Sequence, residues 1–144
     1  MKKSMFWENN IYEVKIDIDL NKQDPCWVGV RLQKIYTFLS GICWYVGIYR
    51  TANGFHIRGY LREPISKGTD LVLRAVLNDD RERWGLDLWR ATSGQRQFDV
   101  LFTYRVKKYD KEHRVGGESP ITLEEALKIA EELCTKKAGL GLIP

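Results

Sequence analysis

The sequence predicts an α+β fold in which one four-stranded antiparallel sheet carries helices on one face. Three observations predict it: strict apolar and polar alternation in separate short segments, helical spacing of apolar residues between the first two, and capped helical starts further on. In Ile11 to Leu20 the apolar Tyr12, Val14, Ile16 and Ile18 alternate with Glu13, Lys15, Asp17 and Asp19, the period of a strand with one buried face. Asp24 then caps a helix with Pro25 at its first position. Val28, Leu32, Ile35 and Leu39 form its apolar stripe, and Gly41 closes it. Alternation returns from Ile42 to Arg50, with Ile42, Trp44, Val46 and Ile48 on the core side and Cys43, Tyr45, Gly47 and Tyr49 opposite. The Asn53-Gly54 turn leads into Phe55, Ile57, Gly59 and Leu61 facing inward against His56, Arg58 and Tyr60, so these two segments pair as a hairpin.

After Pro64, a helical stretch through Leu73, Val76 and Leu77 breaks at Asn78-Asp79-Asp80 and resumes through Trp84 and Leu88. Gln97 to Lys107 reads as the last strand, with Phe98, Val100, Phe102, Tyr104 and Val106 inward. Val115 to Pro120 reads as a linker, and Thr122 and Glu125 form the capping box of a final helix over about residues 121–136. The order β-α-β-β-α-β is the ferredoxin-like, or RRM-like, arrangement, with its core at about residues 11–107. Right-handed crossovers set the first and third strands side by side, with the last strand flanking the first.

The chain has 144 residues, 44% hydrophobic and 29% charged, which suits one globular domain and excludes disorder. No apolar run approaches the roughly 20 residues of a membrane span, and the Met1-Lys2-Lys3 start leads into no apolar stretch, so a cytoplasmic protein is expected. Cys26, Cys43 and Cys134 lack any C-x-x-C spacing and read as buried or incidental thiols. The five tryptophans mostly fall at core spacing. A formal charge of +4, from 23 Lys and Arg against 19 Asp and Glu, favours polyanionic partners, and Arg105, Lys107, Lys108, Lys111 and Arg114 concentrate it. His113, in that basic stretch, reads as solvated.

The open face of the sheet then collects Lys15, Asp17, Asp19, Tyr45, Tyr49, His56, Arg58, Tyr60, Asp99 and Arg105. Asp17 and Asp19 stand about 7 Å apart on that face, at roughly 3.3 Å rise per residue. At an effective dielectric near 20 their charges repel by about 2 kcal/mol, and Asp99 on the neighbouring strand adds to it. A hard divalent cation, Mg²⁺ or Mn²⁺, removes the conflict, since it takes carboxylate oxygens and keeps positions for water and phosphate. Leu86-Asp87 offers another carboxylate, but Arg83 and Arg90 at helical spacing give Asp87 a salt-bridge role.

These residues resemble the archaeo-eukaryotic primase superfamily of primases and primase-polymerases. Val14-Lys15-Ile16-Asp17-Ile18-Asp19 is similar to its hydrophobic strand ending in D-x-D, with Lys15 a polar departure. Gly54-Phe55-His56, within Arg50 to Ile57, resembles its small-x-His motif after a hairpin turn, and Phe98-Asp99 its hydrophobic-Asp motif. The resemblance covers about residues 11–106. It implies Asp17, Asp19 and Asp99 as metal ligands, His56 as a contact to the phosphates of a nucleoside triphosphate, and nucleic acid as the other substrate. Arg50, Arg58 and Arg105 are the basic groups expected to orient phosphates, and Tyr45 and Tyr60 the rings expected to stack bases. Members of that superfamily carry a further α/β module before the D-x-D strand, whereas ten residues precede Ile11 here. The resemblance therefore implies a minimal or degenerate member, or one whose partner subunit supplies that module. Two rival readings are a non-catalytic RRM-like nucleic-acid-binding protein and a degenerate palm serving as an accessory or structural subunit. A histidine-pair endonuclease shares the strand order but wants two histidines flanking one residue, and His56-Ile57-Arg58 has one.

Overall fold

The computed structural model describes residues 6–93, 105–107, 110–115 and 117–141. Its strands are β1 (Ile11–Asp19), β2 (Cys43–Arg50), β3 (Gly54–Ile65), β4 (Arg105–Lys107), β5 (Asp110–Val115) and β6 (Ser119–Ile121), and its helices α1 (Pro25–Ile42), α2 (Lys67–Val76), α3 (Arg81–Thr92) and α4 (Leu123–Gly141). The fold is α+β, with a four-stranded antiparallel sheet in the order β1-β3-β2-β6. The first three strands lie where the alternation puts them: β3 pairs with both β1 and β2, and α1 connects β1 to β2.

The core forms where the inward residues of the strands meet α1 and α4. Val14, Ile16 and Ile18 of β1, Phe55 and Ile57 of β3, and Val28, Leu32, Ile35 and Leu39 of α1 are all fully buried, together with Ala126 and Ala130 of α4. Helix α4 thus joins α1 on the inner side, leaving the opposite face of β1, β3 and β2 clear of it. Local chemistry sets these helices as expected. Asp24 accepts the Cys26 N–H with Pro25 in the first turn, and Thr122 and Glu125 exchange both capping-box bonds at 2.9 and 3.1 Å. Asn78, in the left-handed region at φ 59°, ends the α2 segment and starts the turn into α3, a conformation that asparagine tolerates.

Several expectations are corrected. The strand expected over residues 97–107 lies outside the described residues except for β4, and β4 pairs with β5 in a separate two-stranded sheet. Among the described residues β4 does not pair with β1, and at Lys15 and Asp17 the outer edge of β1 is bonded by side chains of Asp79 and Arg83. The fourth strand of the main sheet is β6, drawn from the stretch read as a linker, and Pro120 is tolerated in it because β6 is an edge.

A register shift between Cys43 and Tyr45 reverses the start of β2. Cys43 turns inward, 3% exposed, and Trp44 turns out, 69% exposed. Because a bulge adds one residue to one strand, alternation read without it sends every residue before it to the wrong face. The same effect at the start of β1 leaves Tyr12 exposed. Trp7, Trp27 and Trp89 are exposed too, so core spacing overstates the burial of the tryptophans. Finally, Cys26 and Cys134 are joined in a disulfide between α1 and α4, and only Cys43 is a buried free thiol.

Candidate functional site

Strand register assembles the site. On the face away from α1 and α4 Asp17 lies opposite His56, which lies opposite Tyr49 on β2; the next row along is Lys15, Arg58 and Gly47, and the one after it Glu13, Tyr60 and Tyr45. Asp19, at the end of β1, faces Gly54. A glycine is needed there because a Cβ at residue 54 would sit 1.8 Å from the Ile18 carbonyl oxygen, and this close approach brings the hairpin turn against the D-x-D strand. The Leu20 N–H donates to the Asn53 carbonyl at 2.8 Å and ties down the same corner. Gly47 is likewise a clearance: a Cβ would meet the Tyr49 ring, which lies across it.

His56 is 5% exposed and held at both nitrogens. Nδ1 lies 2.8 Å from Glu118 Oε1, and Nε2 lies 3.5 Å from Asp17 Oδ1. Burial lowers the imidazole's proton affinity below the ordinary histidine range, and the hydrogen bond to Glu118 opposes burial without overcoming it. Glu118 also accepts from Arg58 at 2.7 and 3.2 Å, while Arg58 reaches Glu13 at 3.0 Å and lies over the Tyr49 ring. Burial works to raise the Glu118 carboxyl, but its bonds to His56 and Arg58 win and hold it below the usual range. Tyr60 is pushed up to about 12, by burial first and then by Glu13 and Tyr49.

Asp17 behaves oppositely. Its carboxyl is pushed up to about 6 because burial outweighs the lowering by Arg83, and Asp79, Asp80 and Asp19 push the same way as burial. Burial, and not chiefly the D-x-D neighbour Asp19, is what leaves its negative charge incompletely compensated. Its main chain is fixed from outside the sheet. Asp79 Oδ1 accepts the Asp17 N–H at 2.8 Å, while Oδ2 accepts from Arg74 at 2.8 Å and Arg83 at 2.6 Å; Arg83 also donates to the Lys15 carbonyl at 3.0 Å. Arg74 is fully buried and further bonds Asp70 and Asp87. Asp87 is thus turned into this cluster beneath the helices, ion-paired with Arg74 at 2.8 Å and with Arg90 at 3.7 Å.

Asp17, Asp19, His56, Arg58, Tyr45 and Tyr60 consequently share one face, as expected. Arg50 does not: it pairs with core-facing Phe55 and its guanidinium lies over that ring, because its position in β2 has the opposite parity to Tyr49. Arg58 is on the face but engaged by two carboxylates, so it is a strut of the site and not an open phosphate contact. Asp99 lies outside the described residues, and of Arg105 only the backbone, in β4, is described. Sequence reading missed Glu118, which no periodicity marks, and Asp79, whose signal was the Asn-Asp-Asp interruption.

Among the described residues, no group of three or more His, Cys, Asp and Glu side chains is arranged to hold a metal ion. Asp17 and Asp19 are the carboxylates of this face that could hold a hydrated Mg²⁺ or Mn²⁺, an ion that one or two carboxylates bind while waters and substrate phosphates complete the shell. The under-compensated Asp17 carboxylate is the donor such an ion would favour. No protein-family model, curated protein or solved structure matches this chain. Among the described residues no helix is long and apolar enough to cross a membrane.

Proposed function

We propose that this chain is a primase-polymerase-like nucleotidyltransferase palm of nucleic-acid replication, binding a divalent metal and a nucleoside triphosphate on the open face of its sheet. The observation that carries the reading is the direct pairing of Asp17 with His56 across β1 and β3, with Asp19 two residues on and the Asp17 carboxyl left short of positive charge. In this reading Asp17 and Asp19 hold Mg²⁺ or Mn²⁺, which when bound neutralises phosphate charge and supplies a Lewis acid. His56, its Nδ1 anchored by Glu118, would contact the triphosphate through Nε2–H in the doubly protonated form, which the phosphate charge favours, and so orient it for attack by a hydroxyl. The third carboxylate implied by the resemblance is Asp99, which lies outside the described residues.

A second reading, a degenerate palm serving as an accessory subunit, draws on Glu118: it engages both His56 and Arg58, as a self-satisfied network does where no ligand is required. Calorimetric titration with Mn²⁺ plus a nucleoside triphosphate separates the two. The first reading expects binding that is metal-dependent and abolished in the Asp17→Asn, Asp19→Asn double variant. Equal heats from both proteins would remove it.

A further inference from the structure

Three aromatic rings stand together on the open face, beyond the acidic end of the site. Trp44, Tyr45 and Tyr60 have ring centroids 5.7 to 6.0 Å apart, with planes tilted by only 27° to 36°. Trp44 is 69% exposed and Tyr45 51%. They gather because the register shift at the start of β2 turns Trp44 outward beside the Tyr45 and Tyr60 pair. Tyr60 is four residues from His56 along β3, about 13 Å at strand rise. That distance is about four bases of a stacked strand at roughly 3.4 Å each.

We infer that Trp44, Tyr45 and Tyr60 form a stacking platform for the bases of single-stranded nucleic acid, the strand served by the site at Asp17 and His56. In naming that strand the inference rests on the proposed function. Three features favour this occupant. The rings expose π faces, which every base can stack on, where a protein partner would ask for a broad apolar patch. Their exposed area is on the order of 300 Å², well under the roughly 800 Å² per partner of a stable protein interface. The adjoining row of the same face carries Lys15, in a chain of net charge +4, which suits a phosphate backbone. Glu13, the nearest anion across from Tyr60, is already engaged by Arg58.

The test is fluorescence anisotropy of labelled oligothymidylate and oligouridylate single strands, with a duplex of equal length as competitor, in EDTA. Wild type is expected to bind the single strands in preference to duplex; binding of either sugar supports the platform, and the tighter one names the strand. Trp44→Ala, Tyr45→Ala should weaken binding by about 5- to 150-fold, the range for one stacked base, and Trp44→Phe, Tyr45→Phe should restore most of it. Asp17→Asn, Asp19→Asn should bind at least as tightly as wild type, so loss of metal and nucleotide binding in that variant is read separately from loss of the platform. Unchanged affinity in the double alanine variant with an intact circular dichroism spectrum, equal competition by duplex, or no strand binding by wild type would each overturn the inference.

Discussion

Asp79 accepts the main-chain N–H of Asp17 across 62 residues of sequence, at 2.8 Å, and thereby occupies the edge of β1 where a neighbouring strand was expected. The carboxylate does two jobs at once, because its other oxygen holds the Arg74 and Arg83 guanidinium groups. Asp79→Ala leaves a buried arginine short of a partner and should destabilise the fold by about 3–5 kcal/mol. Asp79→Asn keeps an acceptor for the Asp17 amide and should lose less. Urea midpoints rank the two, and hydrogen exchange at the Asp17 amide should accelerate in the alanine variant; a protected amide there would refute the account of the edge.

Asp17 should be a place where stability and function conflict. Its carboxyl is raised from 3.8 to about 6, so the folded chain binds this proton more tightly than the unfolded one. The associated stability is fully present below about pH 3.8 and is lost as pH rises through 6. Asp17→Asn should therefore exceed wild type in stability at pH 7, by at most about 3 kcal/mol, with the difference narrowing below pH 4. Denaturation at both pH values checks it, and a variant less stable at pH 7 would show that the charge is already compensated.

Glu118 should have the opposite pH sign. Its carboxyl is held below the usual range, so its contribution is present above about pH 4.5 and fades as pH falls through its lower folded value. Glu118→Ala should cost about 1.5–3 kcal/mol at pH 7, the worth of hydrogen bonds to charged groups. Wild type should lose more stability than Glu118→Gln on acidification through that range. Thermal melts at pH 7 and pH 3.5 measure both effects, and parallel acid losses in the two proteins would contradict the role given to Glu118.

The Cys26–Cys134 disulfide closes a sequence separation of 108 residues. By chain entropy this is worth about 4–5 kcal/mol at most. Dithiothreitol, or Cys134→Ser, should lower the melting temperature, whereas the neighbouring Lys137 and Asp24 ion pair is exposed and should matter little. An unchanged melting temperature under reduction would mean that the bond does not form in solution.

Much of this fold was legible because β1, the inner residues of β3, and the caps of α1 and α4 follow local rules that single residues express. Alternation placed Asp17, His56, Arg58 and Tyr60 on one face correctly, since β3 keeps its register over that stretch. What sequence could not express was non-local. The bulge that exposes Trp44 leaves no mark in the pattern, the edge of β1 is bonded by an aspartate 62 residues away, and Glu118 arrives just ahead of a three-residue strand too short for any period. Arg50 was misplaced for a simpler reason: the resemblance carried it as part of a loop, although its parity with Tyr49 already pointed it to the other side.

Paramagnetic broadening by Mn²⁺ in the amide spectrum, recorded with a nucleoside triphosphate present, tests the central claim most directly. The amides of Asp17, Asp19 and His56 should be the first to disappear in the wild-type protein, and all three should persist in the Asp17→Asn, Asp19→Asn variant. Broadening centred elsewhere, or the same pattern in both proteins, would contradict a metal and nucleotide site at this face.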